Sequence, residues 1–414
     1  MQEEILTHFE DPVYLESLYR KNKSDFKKAF DCIYPELKDN KLAEFWHQRL
    51  IYETDTIFWG TRKELKFVAI LSLTAGLLAK IPHIFTINEE FFYPRNISFI
   101  VLPSLTAYFI HKNNLSNKTI AWITAMLLVF LIYINLLPNN PESNTLTLAC
   151  LHLPILLWGL FGISFSGHEL QNFQKRLEFL RFNGDLLVMS GLLLIAGGLM
   201  TGITLGLFEF IGLKNQKFYF SYVVIFGLPM VPIIATFLTQ NNPQLVNRVS
   251  PVIAKLFSPL VLVMLVVYLS AIVFSGKDPY NDREFLMLFN LLLIGVMALI
   301  FFSVAESTNR QKNKFGIWIL LLLAIVTTVV NLIALSAIIY RISEWGISPN
   351  RIAVLGANVL MLTHIMIVII KLYKSVLGKK ELSDVGRSIV QYIPVYLIWS
   401  LLIVFILPFA FGFQ

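Results

Sequence analysis

The sequence predicts an all-α membrane protein: a polytopic transmembrane helical bundle of about eleven spans, with a small N-terminal cytoplasmic helical domain. Hydrophobic residues make up 56% of the 414 residues, whereas charged residues make up only 15%. A soluble globular protein carries about 25% charged residues. The mean hydropathy of +0.65 reflects apolar runs that are too long for a soluble core. These observations exclude a soluble globular protein, a disordered chain and a nucleic-acid-binding domain with an ordinary polar surface.

The polar N-terminal region, residues 1–62, is predicted to form a cytoplasmic three-helix head. Asp11 precedes a proline and can cap a first helix, and a second helix should end before Pro35. Asp39 or Asn40 can open a third helix. Apolar residues recur at helical spacing in these segments: Tyr14, Leu15, Leu18 and Tyr19, then Phe26, Phe30 and Ile33, then Leu42, Phe45, Trp46 and Leu50. Such a head can stabilise the membrane body or dock a cytoplasmic protein partner.

Residues 63–414 are predicted to form the membrane body. A helix needs about 20 apolar residues to cross the hydrocarbon layer. Eleven runs satisfy or approach this length: 67–87, 96–111, 119–138, 145–166, 186–208, 218–239, 252–275, 285–306, 315–340, 351–371 and 389–411. The second run is short and contains Pro103, so it is the weakest span.

The basic residues predict how the chain is oriented in the membrane. With a cytoplasmic N-terminus and eleven spans, 26 of the 34 Lys and Arg residues fall on the cytoplasmic side and seven fall on the outer side. Basic loops stay in the cytoplasm. The pattern therefore predicts an inner-membrane protein with an outer C-terminus. Without the second span every later loop would change sides, so this agreement supports that span.

Ionisable and amide side chains inside spans are the candidate functional residues, because burying them in lipid is costly. Those expected in the outer half of the membrane are Lys80, His83, His152, Glu209, Asn290, Asn331 and Asn358. Only Glu306 and His364 are expected towards the cytoplasm. This distribution suggests a polar cavity open to the outer side, in which Lys80 and Glu209 could be partners. Alternatively, each group lies at an interface or satisfies one hydrogen bond between helices.

Glycine and proline patterns predict two packing features. Gly198, Gly202 and Gly206 repeat every fourth residue and form a flat stripe on a helix. This stripe can pack against another helix of the chain or form a homodimer interface. Pro229 and Pro232 lie in the middle of the sixth span, where they are expected to kink or break the helix. Broken helices often line the binding sites of transporters.

The sequence contains no recognisable signature of catalysis, metal binding or cofactor binding. His168 begins a pattern similar to that of zinc proteases, but Asn172 stands where the second histidine is needed. An intramembrane enzyme would need converging acid and base groups, and the candidate trio is His83, His152 and Glu209. The two cysteines, Cys32 and Cys150, form neither a disulfide framework nor a metal-ligand pattern. We therefore expect no metal and no cofactor.

The connection between the ninth and tenth spans carries a recognisable motif, Tyr-Arg-Ile-Ser-Glu-Trp-Gly-Ile-Ser-Pro-Asn-Arg over residues 340–351. Gly346 can adopt a positive φ, and the charged residues can form an ion-pair latch or an anion site. The residues expected to matter are Arg341, Glu344, Trp345, Gly346, Pro349 and Arg351. The motif resembles a loop of bacterial membrane proteins in domain of unknown function family 4153, and the head is similar to that of Bacteroidetes members. The resemblance implies a bacterial inner-membrane protein and brings no established activity.

Two functional hypotheses follow from these patterns. The first is a non-enzymatic integral membrane protein that transports or binds a small or lipidic substrate through an outward-facing polar cavity. The second is a membrane sensor or scaffold that acts through its cytoplasmic head and a protein partner. Membrane lipids are expected partners in both, and nucleic acid is expected in neither.

Overall fold

Helices account for all the regular secondary structure in the part of the chain that the computed structural model describes. The described residues are 2–21, 23–37, 40–52, 59–210, 216–247, 249–275, 280, 283–307 and 314–414. The chain divides into two compact units, Met1–Phe58 and Trp59–Gln414. The predicted all-α fold is therefore confirmed.

The N-terminal unit contains four described helices, one more than the sequence predicts. They are α1 (Gln2–Thr7), α2 (Pro12–Lys21), α3 (Lys23–Ile33) and α4 (Lys41–Tyr52). The Asp11 carboxylate accepts hydrogen bonds from the backbone N–H groups of Val13 and Tyr14 at 3.0 and 3.1 Å, and so caps α2. The Asn40 side chain accepts one from the Leu42 N–H at 2.8 Å at the start of α4.

An aromatic core holds the N-terminal unit together. Its most buried members are Ile5, Leu15, Tyr19, Phe26, Phe30, Trp46 and Leu50. The placement of Phe45 in this core is wrong, because its side chain is 59% exposed. Ala43, Trp46 and Leu50 make the inward stripe of α4 at helical spacing, and Phe45 falls outside that stripe.

An ion-pair network ties α2 to α4 on the surface of this unit. Glu16 accepts a hydrogen bond from Arg20 at 2.7 Å and lies 2.9 Å from the Arg49 guanidinium. The hydrogen bond from Arg20, helped by Arg49, holds the pKa of Glu16 below its ordinary value.

The C-terminal unit is a bundle of long helices. In chain order these are α5 (Arg62–Phe85), α6 (Glu89–Lys112), α7 (Asn117–Leu136), α8 (Asn144–Ser166), α9 (Phe173–Phe210), α10 (Gln216–Phe218), α11 (Ile225–Gly227), α12 (Met230–Asn241), α13 (Pro243–Asn247), α14 (Val249–Ser275), α15 (Arg283–Ser307), α16 (Lys314–Trp345), α17 (Pro349–Val376), α18 (Leu382–Leu401) and α19 (Leu407–Ala410). Two π-helical segments, Tyr219–Val224 and Leu402–Ile406, join α10 to α11 and α18 to α19.

Ten of the expected spans are long and apolar enough to cross a membrane. The protein is therefore a multi-pass integral membrane protein. The second expected span falls in α6, which is not among the ten. Helix α6 is nevertheless 24 residues long, or about 36 Å at 1.5 Å per residue.

Helix α6 runs antiparallel to α5 along its length. The rings of Phe67 and His111 are 4.6 Å apart at one end of the pair. At the other end the Tyr93 hydroxyl donates a hydrogen bond to the Ala79 carbonyl at 3.1 Å. Because α5 is one of the ten spans, α6 covers the same depth, and it buries Arg95 and Asn96 against α7.

The long helices alternate between two ends of the bundle. At the first, which we call the basic end, Lys112 donates a hydrogen bond to the Gln240 side chain at 2.7 Å, and the Arg387 guanidinium lies 5.4 Å from the centre of the Phe173 ring. These contacts bring the ends of α6 and α12 together, and the starts of α9 and α18. The described connections after α6 and α12 and before α9 and α18, all expected on the cytoplasmic side, thus lie at one end.

The opposite end, which we call the far end, gathers the connections expected on the outer side. Ser143 donates a hydrogen bond to the Phe413 carbonyl at 2.9 Å, which joins the start of α8 to the C-terminus. Asn350 donates one to Asn144 at 2.5 Å, which joins the start of α17 to that of α8. The C-terminus and the start of α5 therefore lie at opposite ends of the body.

Candidate functional site

The interrupted sixth span is the most unusual part of the membrane body. Helices α10 and α11 are separated by the π-helical segment Tyr219–Val224. A turn at Leu228 and Pro229 then precedes α12, in which Pro232 is the third residue. A π-helical segment often occurs at a functional site. The break therefore begins before the two prolines that predicted it.

Lys80 of α5 lies against this interruption. Its side chain is 6% exposed. The Nζ atom donates a hydrogen bond to the Ser221 carbonyl at 2.6 Å and lies 4.2 Å from the centre of the Tyr222 ring. Among the described residues no carboxylate lies within ion-pair distance of Nζ. The structure thus buries a cation whose partners are a carbonyl dipole and a π system.

Close packing between α5 and α11 holds Lys80 in this position. A Cβ atom on Gly76, one turn before Lys80, would lie 2.7 Å from the Phe226 ring. The ring can therefore lie directly on the α5 backbone only because residue 76 lacks a side chain. Tyr222, which covers the ammonium group, is 56% exposed on the surface of the body. A largely exposed aromatic ring therefore covers the Lys80 ammonium group on one side.

The expected partnership between Lys80 and Glu209 does not form. Glu209 is exposed near the end of α9. His83 lies 3.5 Å from the Glu89 carboxylate across the α5–α6 turn, and His152 hydrogen-bonds to the Leu148 carbonyl within α8. No hydrogen bond or ion pair joins His83, His152 and Glu209 to one another, so the structure does not assemble the candidate catalytic trio.

Asn331 and Asn358 are the two candidate residues that the structure brings together. The Asn331 amide donates a hydrogen bond to the Asn358 backbone carbonyl at 3.3 Å, between α16 and α17. Both side chains are almost fully buried. The Asn331 Oδ1 atom and both polar atoms of the Asn358 amide have no hydrogen-bond partner. No hydrogen bond joins this pair to Lys80.

An apolar groove of about 490 Å³ lies between α14 and α15. Its lining includes Val261, Met264, Tyr268, Leu291 and Leu292. None of the candidate polar residues contributes to this groove. Its chemistry fits the acyl chains of surrounding lipid rather than a polar solute.

The glycine stripe of α9 is not packed against any other helix of the described chain. A Cβ atom placed on Gly198, Gly202 or Gly206 would meet nothing within 4 Å. Packing against another described helix, the first of the two interpretations of this stripe, is therefore not observed. The hydrophobic residues around it, among them Leu199, Met200 and Ile203, are exposed in the described chain.

The two arginines of the loop at residues 340–351 hold it in place as a latch. Neither arginine forms an ion pair with Glu344. Gly346 has φ +74°. Arg351 donates hydrogen bonds to the carbonyls of Trp345 and Gly346 at 2.7 and 2.6 Å. Arg341 donates to the Tyr280 carbonyl at 2.8 Å, and both guanidinium groups lie within 6 Å of the Trp345 ring centre.

The start of α17 completes this loop. Ser348 accepts a hydrogen bond from the Arg351 N–H at 3.4 Å, and Pro349 occupies the first helical position. Glu344 forms no ion pair with either arginine. The arginines are held by carbonyls and an aromatic ring, which indicates a structural role for the motif.

A buried ionic cluster near the basic end joins Glu306, which was expected towards the cytoplasm, to two residues that were not among the candidates. Arg181 of α9 donates a hydrogen bond to Glu306 of α15 at 2.5 Å, and Glu306 is only 2% exposed. Asp185 lies one turn after Arg181. Arg181 was counted only as a loop charge, and Asp185 was not singled out. The signal was an acid at i+4 from a basic residue inside a span.

His364 forms a second buried polar contact in the same half of the body. Its side chain is fully buried. The Nδ1 atom lies 3.1 Å from the Tyr396 hydroxyl, and the imidazole stacks on the Tyr392 ring at 4.4 Å. Glu306 and His364, the two ionisable candidates expected towards the cytoplasm, are thus both buried.

Comparisons with known proteins add no family or fold relationship. No family model matches the chain, and no curated protein or solved structure matches it.

Proposed function

We propose that this integral membrane protein binds an anionic lipidic substrate, as a step in its transport, and that Lys80 contacts the charged group of that substrate. The observation that carries the proposal is the buried Lys80 ammonium, which has no carboxylate partner in the described chain. A charged group inside a membrane is costly and is usually paired or functional. An anionic group at this position would neutralise it.

The surroundings of Lys80 favour a ligand that arrives from the bilayer. Tyr222 exposes more than half of its surface beside Lys80. An amphiphile can keep its acyl chains in lipid while its charged group displaces the Tyr222 ring. The interrupted helix supplies backbone that can rearrange during this step.

Binding is tested with the detergent-solubilised full chain, titrated with phosphatidylglycerol and with phosphatidylcholine and followed by native mass spectrometry. The unaltered protein should prefer the anionic lipid. Lys80→Met should weaken phosphatidylglycerol binding about tenfold, because one charge-assisted hydrogen bond contributes about 1.5 kcal/mol. Binding of phosphatidylcholine should not change.

Lys66→Met is the matched control, because Lys66 lies on the same helix and is exposed. It should leave the preference for the anionic lipid intact. Equal loss in both variants would mean that general surface charge, not the Lys80 site, attracts the lipid. Transport is tested separately by the redistribution of fluorescent phosphatidylglycerol between the leaflets of proteoliposomes. If the lipid redistributes no faster than in empty vesicles, the protein binds the lipid but does not transport it.

A second candidate function is a membrane sensor or scaffold that acts through the N-terminal unit. It is favoured by the separate aromatic core of that unit, which does not depend on residues of the membrane body. Pull-down with the full chain, compared with a chain lacking residues 1–58, tests for a soluble partner. A partner retained equally by both chains would contradict this role.

We further propose that the basic end faces the cytoplasm of a bacterial inner membrane, and that the C-terminus is periplasmic. The proposal is supported by the gathering of basic residues at one end. Membership of domain of unknown function family 4153 likewise remains a proposal that rests on the motif at residues 340–351. Labelling of single cysteines introduced at Lys118 and Gln414 with a membrane-impermeant reagent tests the orientation, since the two should be labelled from opposite sides.

A further inference from the structure

Three helices bring a buried ionic cluster together near the basic end. Glu306 of α15 is 2% exposed, and its Oε1 atom accepts the hydrogen bond from Arg181 at 2.5 Å. The second carboxylate oxygen, Oε2, is buried and has no hydrogen-bond partner. A buried carboxylate oxygen without a donor is costly.

Asp185 and Ser250 add two more unsatisfied atoms. Asp185 lies one turn along α9 from Arg181, and its Oδ1 atom is buried without a partner. The Ser250 side chain of α14 is fully buried and lies close to the Asp185 carboxyl, but its hydroxyl forms no hydrogen bond. A hydroxyl, two carboxyl groups and one guanidinium therefore converge in a site that is largely closed to solvent.

The formal charges of this site do not balance when both acids are ionised. Asp185 and Glu306 would carry two negative charges, and Arg181 supplies one positive charge. We propose that Asp185 and Glu306 hold one exchangeable proton between them, so that the membrane body binds and releases a proton near its basic end. Uptake converts one carboxylate and a proton from water into a carboxylic acid, and release reverses this step.

A proton fits the site better than a metal ion. Among the residues described, no group of three His, Cys, Asp or Glu side chains could hold a metal. A divalent ion also needs about six ligands, and the Arg181 guanidinium would repel it. A proton needs one carboxyl oxygen. The carboxylic acid O–H then becomes a second donor beside the Ser250 hydroxyl, which two carboxylates could not supply.

Lys255 of α14, the helix that carries Ser250, is exposed, and the remaining elements packed against α9 contribute no further buried charge. Helices α12 and α13 contain no ionisable side chain. Helix α8 offers Cys150 and His152, and His152 is engaged with its own backbone. On α18, Arg387 lies over the Phe173 ring, and Asp384 lies 3.9 Å from Lys380.

The proposal is tested by infrared spectroscopy of the full chain in lipid nanodiscs between about pH 5 and pH 8. The carbonyl stretch of a protonated carboxylic acid should be present at the acidic end and should be lost as the pH rises. Asp185→Asn and Glu306→Gln should each abolish this band, because each removes the uncompensated charge. Asp384→Asn, which alters a partly exposed acid at the same end, should retain the band.

Thermal unfolding gives a second readout that does not depend on spectral assignment. An unfolded Asp or Glu is ionised above about pH 4, so the folded protein binds one more proton than the unfolded chain. The midpoint of unfolding should therefore fall as the pH rises. In Asp185→Asn and Glu306→Gln this dependence should be lost, and in Asp384→Asn it should remain.

Either of two results would overturn the proposal. The first is an infrared band and a pH dependence that are the same in the unaltered protein, in Asp185→Asn and in Glu306→Gln. The second is an unfolding midpoint that rises with sodium at constant pH and ionic strength in the unaltered protein but in neither variant. That result would assign the cluster to a monovalent cation.

Discussion

Helices α16 and α9 are both long and apolar enough to cross a membrane, but the rest of the chain packs only one of them along its length. Half of the residues in the most apolar part of α16 are buried, compared with 6% in the corresponding part of α9. Lipid tails and leucine side chains are equally apolar, so composition shows that a helix belongs in the membrane and not what it contacts there.

The same contrast exists within α9. Its first half packs Leu177, Phe179 and Phe182 into the bundle and carries Arg181 to Glu306. From residue 190 to 209 the helix buries no side chain. Substitutions in the two halves should therefore have very different effects, and four predictions test this comparison.

The largest expected effect comes from the buried ion pair. Arg181→Met leaves Glu306 buried without its cation, which should lower the free energy of unfolding by about 3–5 kcal/mol. Thermal or denaturant unfolding in detergent micelles measures this loss. Arg387→Met removes an exposed arginine at the same end and should cost less than about 1 kcal/mol. Equal losses would show that the Arg181–Glu306 contact is not specially important.

A smaller loss is expected where a glycine permits an aromatic ring to lie on the backbone. A Cβ atom on Gly356 of α17 would lie 2.0 Å from the Trp399 ring, and one on Gly184 of α9 would lie 2.1 Å from Phe302. Either glycine replaced by alanine should destabilise the protein by about 1–3 kcal/mol through overpacking. Unfolding midpoints that match the unaltered protein would contradict this packing.

The N-terminal unit extends the comparison to an ion pair that solvent reaches. Glu16→Gln should cost about 0.2–1 kcal/mol, because the Glu16 side chain is 25% exposed. The lowered pKa of Glu16 means that its contribution is present above the unfolded pKa and is lost as the pH falls through the folded pKa. Hydrogen–deuterium exchange of α2 in the full chain, compared between variant and unaltered protein at each pH, measures the difference. A difference that grows towards acid would refute this sign.

The smallest effect is expected on the exposed half of α9. Gly202→Ala adds a methyl group where nothing lies within 4 Å. It should cause no loss of stability and can add a few tenths of a kcal/mol through helix propensity. A clear loss, accompanied by a change in oligomeric state on size-exclusion chromatography with light scattering, would show that a second copy of the chain packs on the glycine stripe.

Local signals in the sequence were sufficient for several elements of the fold. Asp11 and Asn40 cap the helices that they were expected to cap, because capping depends on a side chain and the next two or three backbone N–H groups. The weak second span forms a full-length helix despite its two prolines. Phe45 was misplaced because a face defined by four residues includes positions at its edge, and only packing decides which of them turn inward.

The candidate site could be predicted only in part. Lys80 was identified because an ionisable residue inside a span is visible in the sequence alone, but its partner was not. The Ser221 carbonyl is 141 positions away and belongs to the backbone, which carries no residue-specific signal. Asp185 was overlooked for the reverse reason, since it lies near the start of its span among other polar residues.

By itself the sequence determined the class of this protein, the order of its apolar helices and the unequal charge of its loops, because hydropathy and charge act residue by residue on insertion into lipid. The tertiary structure alone decided which polar atoms remain without partners, which glycines are covered and which half of α9 is packed. Those properties depend on which helix lies opposite each residue. Contacts between helices that are far apart in the chain produce no recognisable pattern in the sequence around either residue.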